Sequence, residues 1–169
     1  KVRPIRKDLY AAAGLGAPAT MEAMIDDARK LTDKGKNVYG WVANGQKGPA
    51  VAQDWMQYNA QLGGSILGPD GKPAINTPAN IESLVFYKKL FDETAPPGAV
   101  DYDWGGREES FRQGLVANMQ TWSVGASSYG NPEQSKVAGK VDIVLAPPGE
   151  HAAKNDGGGG GGPGRNAAV

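Results

Sequence analysis

The chain reads as an α/β domain, and three observations lead there. Stretches with apolar residues at helical spacing alternate with short runs rich in β-branched and aromatic residues. Capping residues and prolines stand where the helices begin, and glycines stand where they end. The 169 residues suit one domain, a small sheet flanked by helices.

The elements follow in order. Lys1 to Ala17 holds a short extended segment and then a helix over Asp8–Ala13, ended by Gly14 and Gly16. Thr20 is placed to cap the next helix, because its hydroxyl accepts from the free amides of the first turn. Met21, Met24, Ile25, Ala28 and Leu31 then form one buried stripe, and Gly35 stops the run. Val38 to Val42 is expected as a short strand. The turn Asn44-Gly45-Gln46-Lys47-Gly48-Pro49 opens a second helix, with Pro49 at a position whose missing amide costs nothing. Val51, Trp55, Tyr58 and Leu62 give it an apolar face, and Gly63-Gly64 ends it. Ser65 to Ile75 is a small hairpin around Pro69-Asp70-Gly71.

Thr77-Pro78 starts a third helix, with Ile81, Leu84, Val85 and Phe91 expected on its core side and Pro96-Pro97-Gly98 after it. Asp103 caps a helix over Trp104–Gln113 with Phe111 inward, and Gly114 closes it. Leu115–Thr121 and Val141–Leu145 are expected strands. The domain is read as residues 1–150, and residues 151–169 as a flexible glycine-rich tail or loop, because six successive glycines have no side chains to pack. That run suits a native loop, an engineered linker, or positions written as glycine for want of side chains.

Composition narrows the function classes. There is no cysteine, hence no disulfide framework and no thiol chemistry. Eighteen basic and 18 acidic residues cancel, and nothing in the sequence suggests the clustered Lys and Arg of a nucleic-acid footprint, so no nucleic-acid partner is expected. No apolar run nears the ~18 residues of a membrane span. Lys1–Tyr10 is charged and lacks the apolar core of a leader, so no leader is expected in this chain. His151 is the single histidine, so neither a Ser-His-Asp triad nor a zinc site is expected. Gly125 to Gly130 does not match the Gly-x-Ser-x-Gly elbow, and the Asn44–Pro49 loop lacks the ending of a phosphate-binding loop. An Asp101-x-Asp103 calcium loop fails because its twelfth position is Arg112. No cofactor and no metal are expected.

Five blocks carry a resemblance. Arg6-Lys7-Asp8-Leu9-Tyr10 with Ala12-Ala13-Gly14-Leu15 is similar to "YxKDLFxxAGL". Thr20 to Lys36 is similar to "TWDELLAxAKKLTDKGK", with Met21 where tryptophan is usual. Gly63 to Asn76 and Thr77-Pro78 resemble "GGxILDxDGKPxxNSPE". Phe111-Arg112-Gln113-Gly114 with Ala117-Asn118-Met119 resembles "FxxGxxAM", and Asn131 to Lys140 resembles "DPExSKVAGKV" after Thr121-Trp122-Ser123. Together, and in this order, they resemble the extracytoplasmic solute-binding proteins of carbohydrate ABC importers. The resemblance implies a periplasmic-binding-protein-like lobe, the second of two that close on a sugar or polyol. By the same resemblance, the first lobe is expected to have no counterpart among these residues. The implied partners are that ligand, the missing lobe and a membrane permease; the implied location is periplasmic or extracellular, lipid-anchored in a Gram-positive source.

A sugar ring offers a C–H face to an aromatic ring while its hydroxyls need polar partners. Trp122 is the leading stacking residue: it follows a strand, precedes a turn, and lies where the family places cleft residues. Trp41 comes next, at a strand end beside the Asn44–Gly48 loop. Trp104, beside a cap, suits ligand or core; Trp55 falls on its helix's apolar stripe and suits the core. Asn44, Gln46, Thr121 and Ser123 are expected to hydrogen-bond hydroxyls, with free amides at the Asn44–Gln46 loop. One alternative is a carbohydrate hydrolase using Asp103 with Glu108 or Glu109, against the plainer reading of a cap and a charged helix face. Another is an isolated or engineered lobe with no ligand.

Overall fold

The computed structural model describes residues 2–146, so the last residues of the expected 1–150 domain, His151 and the glycine run lie outside the described residues. β1 (Val2–Arg6) pairs antiparallel with β2 (Val141–Leu145), from Val2 opposite Leu145 to Arg6 opposite Val141. Between them in sequence come α1 (Lys7–Ala12), α2 (Met21–Leu31), α3 (Pro49–Gln61), α4 (Pro78–Thr94), α5 (Trp104–Arg112) and α6 (Ala126–Gly130).

The expected strands 38–42 and 115–121 are present only as isolated bridges. Residues 115–121 lie along the other edge of β1, through antiparallel bridges Val2–Thr121 and Ile5–Asn118. Residues 39–42 lie beyond them, through parallel bridges Tyr39–Val116 and Val42–Met119. Two causes interrupt the ladders. Pro4 has no amide to return the bond that its carbonyl accepts from Met119. Gly40 N donates to Thr32 Oγ1 at 2.9 Å and Trp41 N to Thr94 O at 3.2 Å, so the ends of α2 and α4 take amides that a strand would use. The same approach explains Gly40 itself: a Cβ there would lie 1.8 Å from Ala28 O.

Local signals place the helices. Thr20, Thr77 and Asp103 accept from the third residue of their helices, and Pro49 and Pro78 occupy first turns. The α2 stripe Met21, Met24, Ile25, Ala28 and Leu31 is buried throughout. The hairpin forms as expected, with Gly68 and Lys72 paired and a Leu67–Pro73 bridge.

α4 corrects the expectation. Ile81, Leu84 and Val85 are exposed, and the buried stripe is Asn80, Ser83, Tyr87, Leu90 and Thr94. These residues recur at helical spacing, but three are polar and are buried because each finds a partner. Asn80 Nδ2 donates to Ser65, Ala74 and Ile75 carbonyls. Ser83 Oγ donates to Asn59 Oδ1 at 2.6 Å and accepts from the Trp55 indole at 3.0 Å. Thr94 Oγ1 donates to Leu90 O at 2.7 Å. Buried polar groups are tolerated when bonded.

Candidate functional site

In an open α/β sheet, ligands bind outside the carboxyl ends of the parallel strands. Here that end is where residues 39–42 run into the Asn44–Pro49 loop and residues 115–121 run into Trp122. A polar network underlies both. Arg107, 1% exposed on α5, donates through Nη1 to Asp54 Oδ2 at 2.8 Å and through Nη2 to Thr121 Oγ1 at 2.9 Å. Its Nη2 also reaches Glu108 Oε1 at 3.2 Å. Burial alone would lower the Arg107 pKa, but Asp54 and then Glu108 outweigh it and raise it. Asp54 Oδ2 also accepts from Asn44 N at 3.0 Å.

Glu108 holds both ends of the segment that carries Trp122. Its Oε1 accepts from Thr121 Oγ1 at 2.5 Å, and its Oε2 accepts from the Tyr129 hydroxyl on α6. Burial, then that bond to Glu108, pushes the Tyr129 phenol up. Between the two contacts lie Trp122 and the 3-10 turn Ser123–Gly125.

The expected site residues divide into two groups. Trp122 is 40% exposed, Trp104 is 36% exposed, and Ser123 and Gln46 are exposed. Trp41, Asn44 and Thr121 are buried, and their expected ligand roles are corrected. Trp41, 0% exposed, meets Tyr58, Tyr87 and Phe91 edge to face at centroid distances of 5.9, 5.7 and 5.1 Å. Its indole donates to Tyr58 Oη at 2.9 Å, so no ring face remains for a sugar. Asn44 accepts at its carbonyl from the Tyr87 hydroxyl at 2.8 Å. Its side-chain amide is best satisfied with nitrogen on Asp103 O at 3.1 Å and oxygen on the Trp104 indole at 3.2 Å. That indole also donates to Gln53 Oε1 at 2.8 Å, so Asn44 and Gln53 together orient Trp104. Thr121 spends its hydroxyl proton on Glu108, and Arg107 donates to its oxygen.

The loop amides expected to be free are taken as well. Gly45 N and Gln46 N both donate to Tyr102 O, at 2.9 and 3.0 Å. Gly45 lies so close to the next loop that a Cβ would come within 2.5 Å of Ala99 O. The carboxylates of the hydrolase alternative are likewise engaged: Asp103 caps α5 at 2.9 Å from Gly106 N, and Glu109 pairs with Arg112 at 2.8 Å.

Sequence reasoning missed Asp54, Arg107 and Tyr129, and a second cluster of Arg3, Gln57, Gln61 and Gln120. A signal existed for some of them. Asp54 lies on α3 between Val51 and Tyr58 at helical spacing, and Arg107 precedes Phe111 by four, so both are polar residues on core faces.

The profile of the bacterial extracellular solute-binding protein family matches residues 5–167, and the chain belongs to that family. A Deinococcus radiodurans protein named "Probable ABC transporter-binding protein" is 29% identical over 85% of this chain and 36% of its own length. Among solved structures, a solute-binding protein from Agrobacterium radiobacter K84 in complex with ribitol is 66% identical, with TM-score 0.86 over 88% of this chain and 37% of that one. One from Agrobacterium vitis S4 with bound D-mannitol is 31% identical, with TM-score 0.84 over 88% of this chain and 36% of that one. Maltose-bound MalE3 of T. maritima is 26% identical, with TM-score 0.79 over 88% and 38%. The chain thus spans just over a third of the length of these relatives.

Proposed function

We propose that this chain is the second lobe of a two-lobed extracytoplasmic receptor, periplasmic or extracellular, that captures a polyol and delivers it to an ABC permease. The observation that carries this reading is the 66% identity, over 88% of the chain, to a protein solved with ribitol. The exposed Trp122 and Trp104 supply ring faces for the C–H side of an alditol, and Ser123 and Gln46 supply polar contacts. The action is binding rather than chemistry, because Asp103, Glu108 and Glu109 serve a cap, a clamp and a surface pair.

Closure follows from differential affinity. A ligand that touches both lobes binds the closed form more tightly and shifts the population toward it. This chain alone offers only one lobe's share of those contacts and is expected to bind weakly or not at all. Calorimetric titration of the full-length protein with ribitol, D-mannitol and maltose tests the reading. Micromolar or tighter binding of ribitol, with weaker binding of maltose, is expected; micromolar binding by the 169 residues alone would contradict the two-lobe mechanism.

A further inference from the structure

Arg3 on β1 is 0% exposed, yet among the described residues its guanidinium makes a single hydrogen bond, Nη2 to Gln120 Oε1 at 3.4 Å. Its Nε and Nη1 have no partner. A guanidinium has donors only, so Gln120 must turn its oxygen toward Arg3. The amide nitrogen of Gln120 then faces the other way. There it donates to Gln57 Oε1 at 3.0 Å and Gln61 Oε1 at 3.1 Å, side chains one turn apart on α3. With its oxygen occupied, half-buried Gln57 directs its own amide nitrogen away from Gln120. This cluster sits one residue before Thr121-Trp122, at the carboxyl end of the 115–121 segment.

We infer that Arg3, Gln120 and Gln57 form a polarised relay that ends in a hydrogen-bond-donating subsite for the oxygen atoms of a polyol. Gln57 is the contact. Arg3 is a positioning residue: its charge forbids the flipped Gln120 amide and so sets the direction of every bond beyond it. A glutamine triad without such a cation has two equivalent senses; Arg3 leaves one. The inference rests on the proposed polyol-binding function and names the part of the lobe that selects hydroxyl acceptors.

The test uses the full-length protein, with ribitol as probe. In Gln120→Glu the new carboxylate pairs with Arg3 and has no N–H for Gln57 or Gln61. Stability rises, read as a higher Tm without ligand, while ribitol affinity falls about tenfold or more. A cluster that serves only the fold would give the higher Tm with unchanged affinity, which would overturn the inference. Gln57→Met keeps a good helix former on a half-buried position and removes the donor together with one of the two acceptors of Gln120 Nε2, which keeps Gln61 Oε1 at 3.1 Å. It is expected to leave Tm within a degree or so and to weaken ribitol about tenfold; unchanged affinity again overturns the subsite. Ribitol analogues with one hydroxyl replaced by hydrogen locate the contact: the analogue most penalised by the parent protein loses that penalty in Gln57→Met. If the parent binds no polyol, the proposed function fails and the subsite with it. If the parent binds ribitol and both variants match it, only the subsite fails.

Discussion

Arg3 and Arg107 lie on opposite faces of the same extended segment, behind consecutive residues, Gln120 and Thr121. Both are buried, and their surroundings differ in kind. Arg107 has two carboxylates within 3.2 Å, and they hold its pKa up despite burial. Arg3 has one neutral partner, and burial pushes its pKa down against Tyr58, Tyr10 and Asp27. On one face the lobe pairs its cation with two carboxylates, leaving only Nε without a partner, and uses it to bind α3, α5 and the Trp122 segment together. On the other it leaves guanidinium donors unmatched and passes polarity outward through glutamines. The first arrangement builds the site's frame; the second sets what the frame presents.

The contrast is tested most severely by removing each cation. Arg107→Met leaves Asp54 and Glu108 without their counter-charge in a buried setting and is expected to cost about 3–5 kcal/mol in urea denaturation. Arg3→Met removes a charge whose neighbours do not compensate it and is expected to stabilise by about 1–2 kcal/mol at pH 7 in the same assay. Equal destabilisation by the two variants would remove the distinction.

A smaller change sharpens the first arm. Glu108→Gln keeps shape but weakens the charge-assisted bonds to Thr121 and Tyr129, at a cost of about 1–2 kcal/mol. The looser segment should make Trp122 fluorescence more accessible to acrylamide, with Trp122→Phe as the control that identifies the signal. No change in quenching would show that the clamp does not order Trp122.

The smallest effect concerns Asp27, buried on α2, where Arg3 is among the charges acting on it. Burial raises its carboxyl pKa above the ordinary 3.8; Lys30 pulls it down, Asp26 pushes it up, and Arg3 pulls it down. A carboxyl raised in the folded state contributes stability that is fully present below the unfolded value. That contribution is lost as pH rises through the folded one. Asp27→Asn should therefore raise Tm slightly at pH 7, and the gain should vanish toward pH 3.5, measured by thermal scans across that range.

Much of this lobe was legible before any coordinates. Thr20, Thr77 and Asp103 cap where they were expected, Pro49 and Pro78 open their helices, and the α2 stripe is buried, because these features depend on neighbours within one or two turns. The family, too, was readable from five short blocks and is shown by the match over residues 5–167. Tertiary structure alone decided which face of α4 turns inward. Asn80, Ser83 and Thr94 are buried over Ile81, Leu84 and Val85 because acceptors from the hairpin and α3, or from their own helix, take the hydrogen bonds they donate. It also separated Trp41 from Trp122. Both follow or end extended segments, but α3 and α4 close over Trp41 through Tyr58, Tyr87 and Phe91, while Trp122 stays 40% exposed. Capping and periodicity are local and are written in order along the chain. Whether a polar residue may be buried, and whether an aromatic face is left open, depends on what distant segments bring to it.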